Sequence, residues 1–211
     1  MITVVISSHN YGHLAAHAIE SVLAQTRKAD HILFVDDGVG DCAHLPALYP
    51  QVEFVLREKN LGVVDNFNDM LTRVQTDRVM FLGADNWLRE DTLEKLDDQK
   101  ADIVSYDWHI VGEGAQEFKR LLSHNQLQPS KYGDLYTFIP GDITKGNYIH
   151  GSSLYNVEIA KVAGGYERNP HSKNTEEDWM LFKKMIFQGA FHAHVPEPML
   201  FYRRHNRNHN I

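Results

Sequence analysis

Cysteine is nearly absent: the chain has one, Cys42, in 211 residues. A single thiol makes no intramolecular disulfide and no cysteine zinc cluster, so the fold rests on its core and suits a reducing compartment. Cations are in deficit, with 21 Lys and Arg against 28 Asp and Glu, a formal net charge of -7 when the 13 His are neutral. Nucleic acid is therefore not an expected partner, because coating a phosphate backbone needs a basic face. Long apolar runs are missing as well. Residues 1–6 lack the length and basic flank of a signal peptide, and no later stretch approaches the ~20 residues of a membrane span. The expected location is cytoplasmic, with peripheral attachment to the inner face of the membrane left open. No G-x-G-x-x-G follows the first apolar run, which argues against a dinucleotide oxidoreductase.

What remains is 43% hydrophobic, 23% charged and 10% aromatic, the composition of one globular domain large enough to fold without staples. Short apolar runs at residues 3–7, 32–35, 52–56 and 79–82 read as strands, and helical spacing at 14–25 and 63–74 reads as helices between them. A fifth strand is expected at 103–111. Residues 112–146 read as a surface excursion with a short helix at 118–122, and 175–188 as a late helix stopped by Gly189. Two closing strands are expected at 191–195 and 199–202. Strands alternating with helices imply an α/β, Rossmann-like, mostly parallel sheet flanked by helices, with its ligand site at the carboxyl ends of the strands.

Polar clusters fall at those ends. Ser7, Ser8, His9 and Asn10 follow the first strand, Asp36-Asp37-Gly38 the second, Asn60-Leu61-Gly62 the third, and Gly83-Ala84-Asp85-Asn86 the fourth. Asp36 and Asp37 fit a plain tight turn, or acceptors for a base N–H and a ribose hydroxyl. Asp85 fits a helix cap, or a hard-oxygen ligand for Mg2+ or Mn2+ beside a diphosphate. Thr175-Glu176-Glu177-Asp178 is close to a capping box, with the alternative that one acid is a general base. The tail around Arg203, Arg204 and His205 fits either a solvated cationic end or a site for a diphosphate and its metal. His9, His13 and His17 are four apart, but His9 precedes the helix, so the three do not share a face.

Together these segments resemble the family 2 glycosyltransferases of GT-A fold, over nearly the whole chain. The carriers are Val5-Ile6-Ser7-Ser8-His9-Asn10-Tyr11 with the helix through Gln25-Thr26, Val35-Asp36-Asp37-Gly38, Asn60-Leu61-Gly62-Val63, Gly164-Gly165-Tyr166, Glu177-Asp178 and Tyr202-Arg203-Arg204-His205. The resemblance implies a single catalytic domain cut from a longer enzyme, with a nucleotide-binding half at 1–100 and a smaller acceptor-binding half at 101–211. It implies an inverting transfer from a nucleotide sugar, UDP-linked by preference, to a hydroxyl of a saccharide or lipid-linked glycan, in polysaccharide biosynthesis. Asp178 would be the base, with Glu177 beside it. Ser7, Ser8, His9, Asn10, Asp36, Asp37, Asn60, Gly62, Asn68, Ala84 and Arg204 would hold the donor, and Asp85 with His205 would hold Mn2+ or Mg2+. Gly83 stands where the family often has the first metal acid, and Phe67-Asn68 where it often has an Arg-Asn pair. The first departure keeps alive a second reading, a nucleotide-sugar-binding module that has lost catalysis.

Overall fold

The structure, a computed structural model, describes residues 1–113, 127–129, 136–138 and 149–205. The elements run β1 (Ile2–Ser8), α1 (Gly12–Leu23), β2 (His31–Asp36), α2 (Leu45–Leu48), β3 (Glu53–Leu56), α3 (Val63–Arg73), β4 (Arg78–Gly83), β5 (Trp87–Leu88), α4 (Thr92–Asp97) and β6 (Ile103–Val111). Then come β7 (Leu127–Pro129), β8 (Tyr136–Phe138), β9 (Leu154–Asn156), α5 (Val157–Val162), α6 (Glu177–Phe187) and β10 (His192–Arg203). One sheet takes the order β3-β2-β1-β4-β9-β6-β10-β5, with β8 on β6 and β7 on β8.

The first four strands pair in parallel, as do β6 and β10. The sheet is mixed because β9 runs antiparallel to both β4 and β6 and joins the two parallel parts. Successive residues of β1 face opposite layers. Val4 and Ile6 pack with Ala15, Ile19 and Val22 of α1, whereas Val5 packs in a layer that holds Met70 of α3 and Leu181 and Phe182 of α6. Burial on both faces explains why β1, β2 and β4 read as unbroken apolar runs instead of alternating ones.

Several sequence expectations shift. The first helix spans Gly12–Leu23, and Gln25 folds inward: its Nε2 donates to the Ser21 and Arg89 carbonyls, and its Oε1 accepts from Leu93 N. The two closing strands are one strand, β10, whose pairing with β6 slips around Val195 and Pro198. Thr175 does not cap the late helix. The cap position is Glu176, left-handed at φ 47° and without a side-chain cap bond, because the Thr175 carbonyl and the Glu176 carboxylate are both held by Asn169. The helix expected at 118–122, and the tail from 206, lie outside the described residues. Among the described residues no helix is long and apolar enough to cross a membrane.

Candidate active site

At the carboxyl end of the parallel strands a cleft of about 640 Å³ opens. Of the expected site residues, Ser7, His9, Asp37, Asn60, Gly62, Asp85, Glu177 and Asp178 line it. Asp37 is nearly fully buried, and its Oδ1 accepts from Arg57 Nη1 at 2.9 Å and from Leu61 N at 3.1 Å. Arg57 continues to Asp69 and to Asn66, whose Nδ2 lies 3.2 Å from Ser7 Oγ. A Cβ on Gly38, already at φ +82°, would lie 2.2 Å from Asn60 N, so glycine lets the turn after β2 meet the loop after β3. His9 Nδ1 and Asn60 Nδ2 are 2.9 Å apart on the same wall.

The turn after β4 carries the second acid. Asp85 Oδ2 lies 3.2 Å from His205 Nε2, and the turn is tied to β10 by Arg203, whose N donates to Asn86 Oδ1 and whose Nε donates to the Asp85 carbonyl. Burial pushes the Asp85 carboxyl above the usual range, opposed by its hydrogen bond to His205. A Cβ on Gly83 would come within 2.8 Å of Asp85 Oδ1 and 3.0 Å of Asn86 Nδ2. The two side chains thus occupy the space that a first acid would need. Tyr11 packs edge-on to His205, its phenol raised by burial and by the Asp85 charge.

The far wall is aromatic. Trp108, His150 and Tyr202 form a mutually packed trio with centroids 5.1 to 5.5 Å apart. His150 is held neutral by burial, its pKa lowered to about 4, and its Nδ1 accepts from Ser152 N. Asp178 sits near the start of α6, where Oδ1 accepts from Trp179 N at 2.7 Å. Its Oδ2 would be 3.0 Å from a Cβ on Gly151, so glycine there lets the carboxylate lie against the backbone. Tyr202 lines the same cleft as Asp85 and Asp178, and its phenol is raised by burial and by the charges of both acids. The strained Glu176 just upstream is a backbone outlier at the site, as is Asn10 at φ 67°.

Six expected donor residues do not line the cleft. Asp36 is fully buried and holds its own turn by accepting from Val39 N and Gly40 N. Ser8 is buried against Cys42, and Asn10 turns the chain into α1. Ala84 is core, its N donating to the Ser7 carbonyl. Asn68 spends both amide atoms on the Tyr166 backbone, at 2.8 and 2.9 Å. Arg204 is buried behind the cleft, hydrogen-bonded to Tyr202. The residues that sequence reasoning missed are Arg57, Asn66, Tyr11, Trp108 and His150. Only Arg57 left a signal, a cation just past the third strand.

Residues 3–164 match the family described as Glycosyl transferase family 2. The chain belongs to glycosyl transferase family 2. A Haemophilus influenzae protein named as an uncharacterized glycosyltransferase is 26% identical to this family 2 chain over 202 residues, covering 87% of the chain and 68% of the relative. A Nostoc protein of the same description is 31% identical over 116 residues, 52% of this chain and 36% of its own. The S. aureus TarS 1-349 structure in complex with UDP-GlcNAc superposes with a TM-score of 0.73 at 14% identity, over 99% of this chain and 60% of that one. The mannosyltransferase PcManGT from Pyrobaculum calidifontis, in complex with GDP-Man and Mn2+, gives 0.62 at 15%, over 98% and 58%. The fold is GT-A, and the chain spans about three fifths of each of these two solved chains.

Because the Arg57 and Asp37 side chains are 9% and 4% exposed, Arg57→Met strands a buried carboxylate. It is expected to lower stability by about 3 kcal/mol in urea unfolding, as for other broken buried pairs. Adding Asp37→Asn should recover part of that loss. Equal stability of Arg57→Met and wild type would show the pair to be dispensable.

Proposed function

We propose that this family 2 domain transfers a sugar, with inversion, from a nucleotide sugar to an acceptor hydroxyl of a saccharide or lipid-linked glycan. The observation that carries the reading is that one cleft is lined by Asp37 and Asn60, by Asp85 and by Asp178. The Asp178 carboxylate takes the proton of the acceptor hydroxyl as that oxygen bonds to the anomeric carbon. The bond from that carbon to the diphosphate breaks on the opposite face, and the nucleoside diphosphate leaves. General-base help of this kind supplies roughly 100- to 10,000-fold in rate. Asp37 and the Leu61 and Asn60 loop hold the base and ribose, and UDP is the preferred nucleotide.

The Asp85 and His205 pair fits a divalent cation. Asp85 Oδ2 and His205 Nε2 lie 3.2 Å apart, and a carboxylate oxygen beside an imidazole nitrogen is a donor set that suits Mg2+ or Mn2+. Mg2+ or Mn2+ bound there would neutralise charge on the departing diphosphate. Tyr11 and Arg203 keep the two ligands in place, Tyr11 by packing on the imidazole and Arg203 by bonding the turn.

UDP at 100 times its Kd with Mn2+ is expected to stabilise the fold by about 2.7 kcal/mol, a rise in Tm of roughly 5 to 10 °C. GDP and dTDP serve as comparisons in the same thermal-shift series. No rise with any of the three would overturn the donor reading. The Gly83 departure favours one other reading, a nucleotide-sugar-binding module without turnover. It predicts the same rise with no UDP released from a UDP-sugar in the presence of acceptor glycans.

A further inference from the structure

The segment between α5 and α6 leads directly into Asp178, and it carries two cations onto the lip of the cleft, Arg168 and Lys173. Its shape is fixed from within. Asn169 is buried, its N donates to the Thr175 carbonyl and its Nδ2 to Glu176 Oε2 at 2.6 Å. Arg168 Nη2 donates to the Lys173 backbone carbonyl at 3.1 Å, which closes the loop on itself.

Their acids are spoken for elsewhere. Glu167 pairs with Lys184 at 3.2 Å, and Glu176 is taken by Asn169. Arg27, Arg57, Arg73, Arg78 and Arg89 all reach a carboxylate in this acidic chain. Among the described residues neither Arg168 nor Lys173 has such a partner, although both line a cleft that also holds Glu177 and Asp178. Two cations that line one cleft from a single loop, with no carboxylate partner among the described residues, offer a receptor for an anion, and the planar guanidinium fork matches the oxygens of a phosphate.

We propose that Arg168 and Lys173 read an anionic group on the acceptor, so that the hydroxyl offered to Asp178 belongs to a phosphorylated or otherwise anionic glycan. This rests on the donor reading above and adds the acceptor's chemical class. The anion belongs to the acceptor, because the loop leads straight into the residue proposed to face the acceptor hydroxyl, whereas Asp85, on the turn after β4, and His205, just past β10, are the place for the donor diphosphate.

The test uses wild-type protein saturated with UDP and Mn2+, titrated calorimetrically with methyl glucoside, its 6-phosphate and methyl glucuronide. The 6-phosphate should bind at least tenfold tighter than the neutral glucoside, with the glucuronide between them. R168Q/K173Q should erase that preference while its Kd for UDP stays within twofold. K173Q alone keeps the Arg168 bond to the loop and should lose part of the preference, so the test survives a double variant that misfolds. Equal affinity of the three probes, no binding of the phosphate, or an undiminished preference in the variants would overturn the proposal. So would a tenfold loss of UDP affinity in R168Q/K173Q, which would assign the cations to the donor. Failure of wild type to bind UDP at all would sink the donor reading first, and this proposal with it.

Discussion

Asp178→Asn is expected to cut sugar transfer by two or more orders of magnitude while leaving the fold and donor binding in place. The carboxylate has two roles to separate, and the geometry separates them. Its structural bond is Oδ1 accepting from Trp179 N, which the Asn carbonyl oxygen preserves at nearly the same volume. The cap position belongs to Glu176, and Asp178→Asn leaves Glu177 as the acid in the first turn of α6, so losing the charge at 178 should cost only about 0.3 to 1 kcal/mol. What Asn lacks is the ability to take a proton from the acceptor hydroxyl, and that loss is worth roughly 100- to 10,000-fold. Turnover of a UDP-sugar with acceptor, the Kd for UDP and the melting temperature, measured together, decide the matter. Near wild-type turnover would move the base to Glu177, the neighbouring acid on the cleft, and a large drop in melting temperature would make the carboxylate structural.

The parts of this site that were legible in the sequence are those fixed by strand ends. β1, β2 and β4 announce themselves as apolar runs because both faces are buried, and the acids Asp37 and Asp85 follow the last two directly. Side-chain direction was less legible. Asn66 and Asn68 are two residues apart on α3, about 200° around the helix, so only one can face the cleft. Asn66 does, bonding Arg57 and lying within reach of Ser7, while Asn68 faces Tyr166. The same holds for Asp36 and Asp37, which alternate across the sheet: the first holds its turn and the second lines the cleft. β9 and α5 were invisible because three and six residues carry too little periodicity to read. The trio of Trp108, His150 and Tyr202 is assembled from three separate segments, and no local pattern marks it.

Asp85→Ala bears on the departure that most affects chemistry, the glycine at 83. A Cβ at that position would press on Asp85 Oδ1 and Asn86 Nδ2, which would have to shift, and in the proposed site the one remaining acid is paired with His205. Asp85 should therefore carry nearly all of the metal dependence. In the variant, UDP affinity should become equal with Mn2+ and with EDTA, and transfer should fall by about 1000-fold, the scale of removing one electrostatic contact to a leaving group. Stability should hold or rise. Burial raises the folded-state pKa of this carboxyl, so its charged form is disfavoured by folding at neutral pH, and removing the group relieves that cost. His205→Ala should show the same loss of metal dependence in weaker form, since the carboxylate that neutralises the ion remains. A Mn2+-dependent UDP affinity that survives Asp85→Ala would place the cation elsewhere in the cleft and leave the Asp85 and His205 pair as a structural tie between the β4 turn and the end of β10.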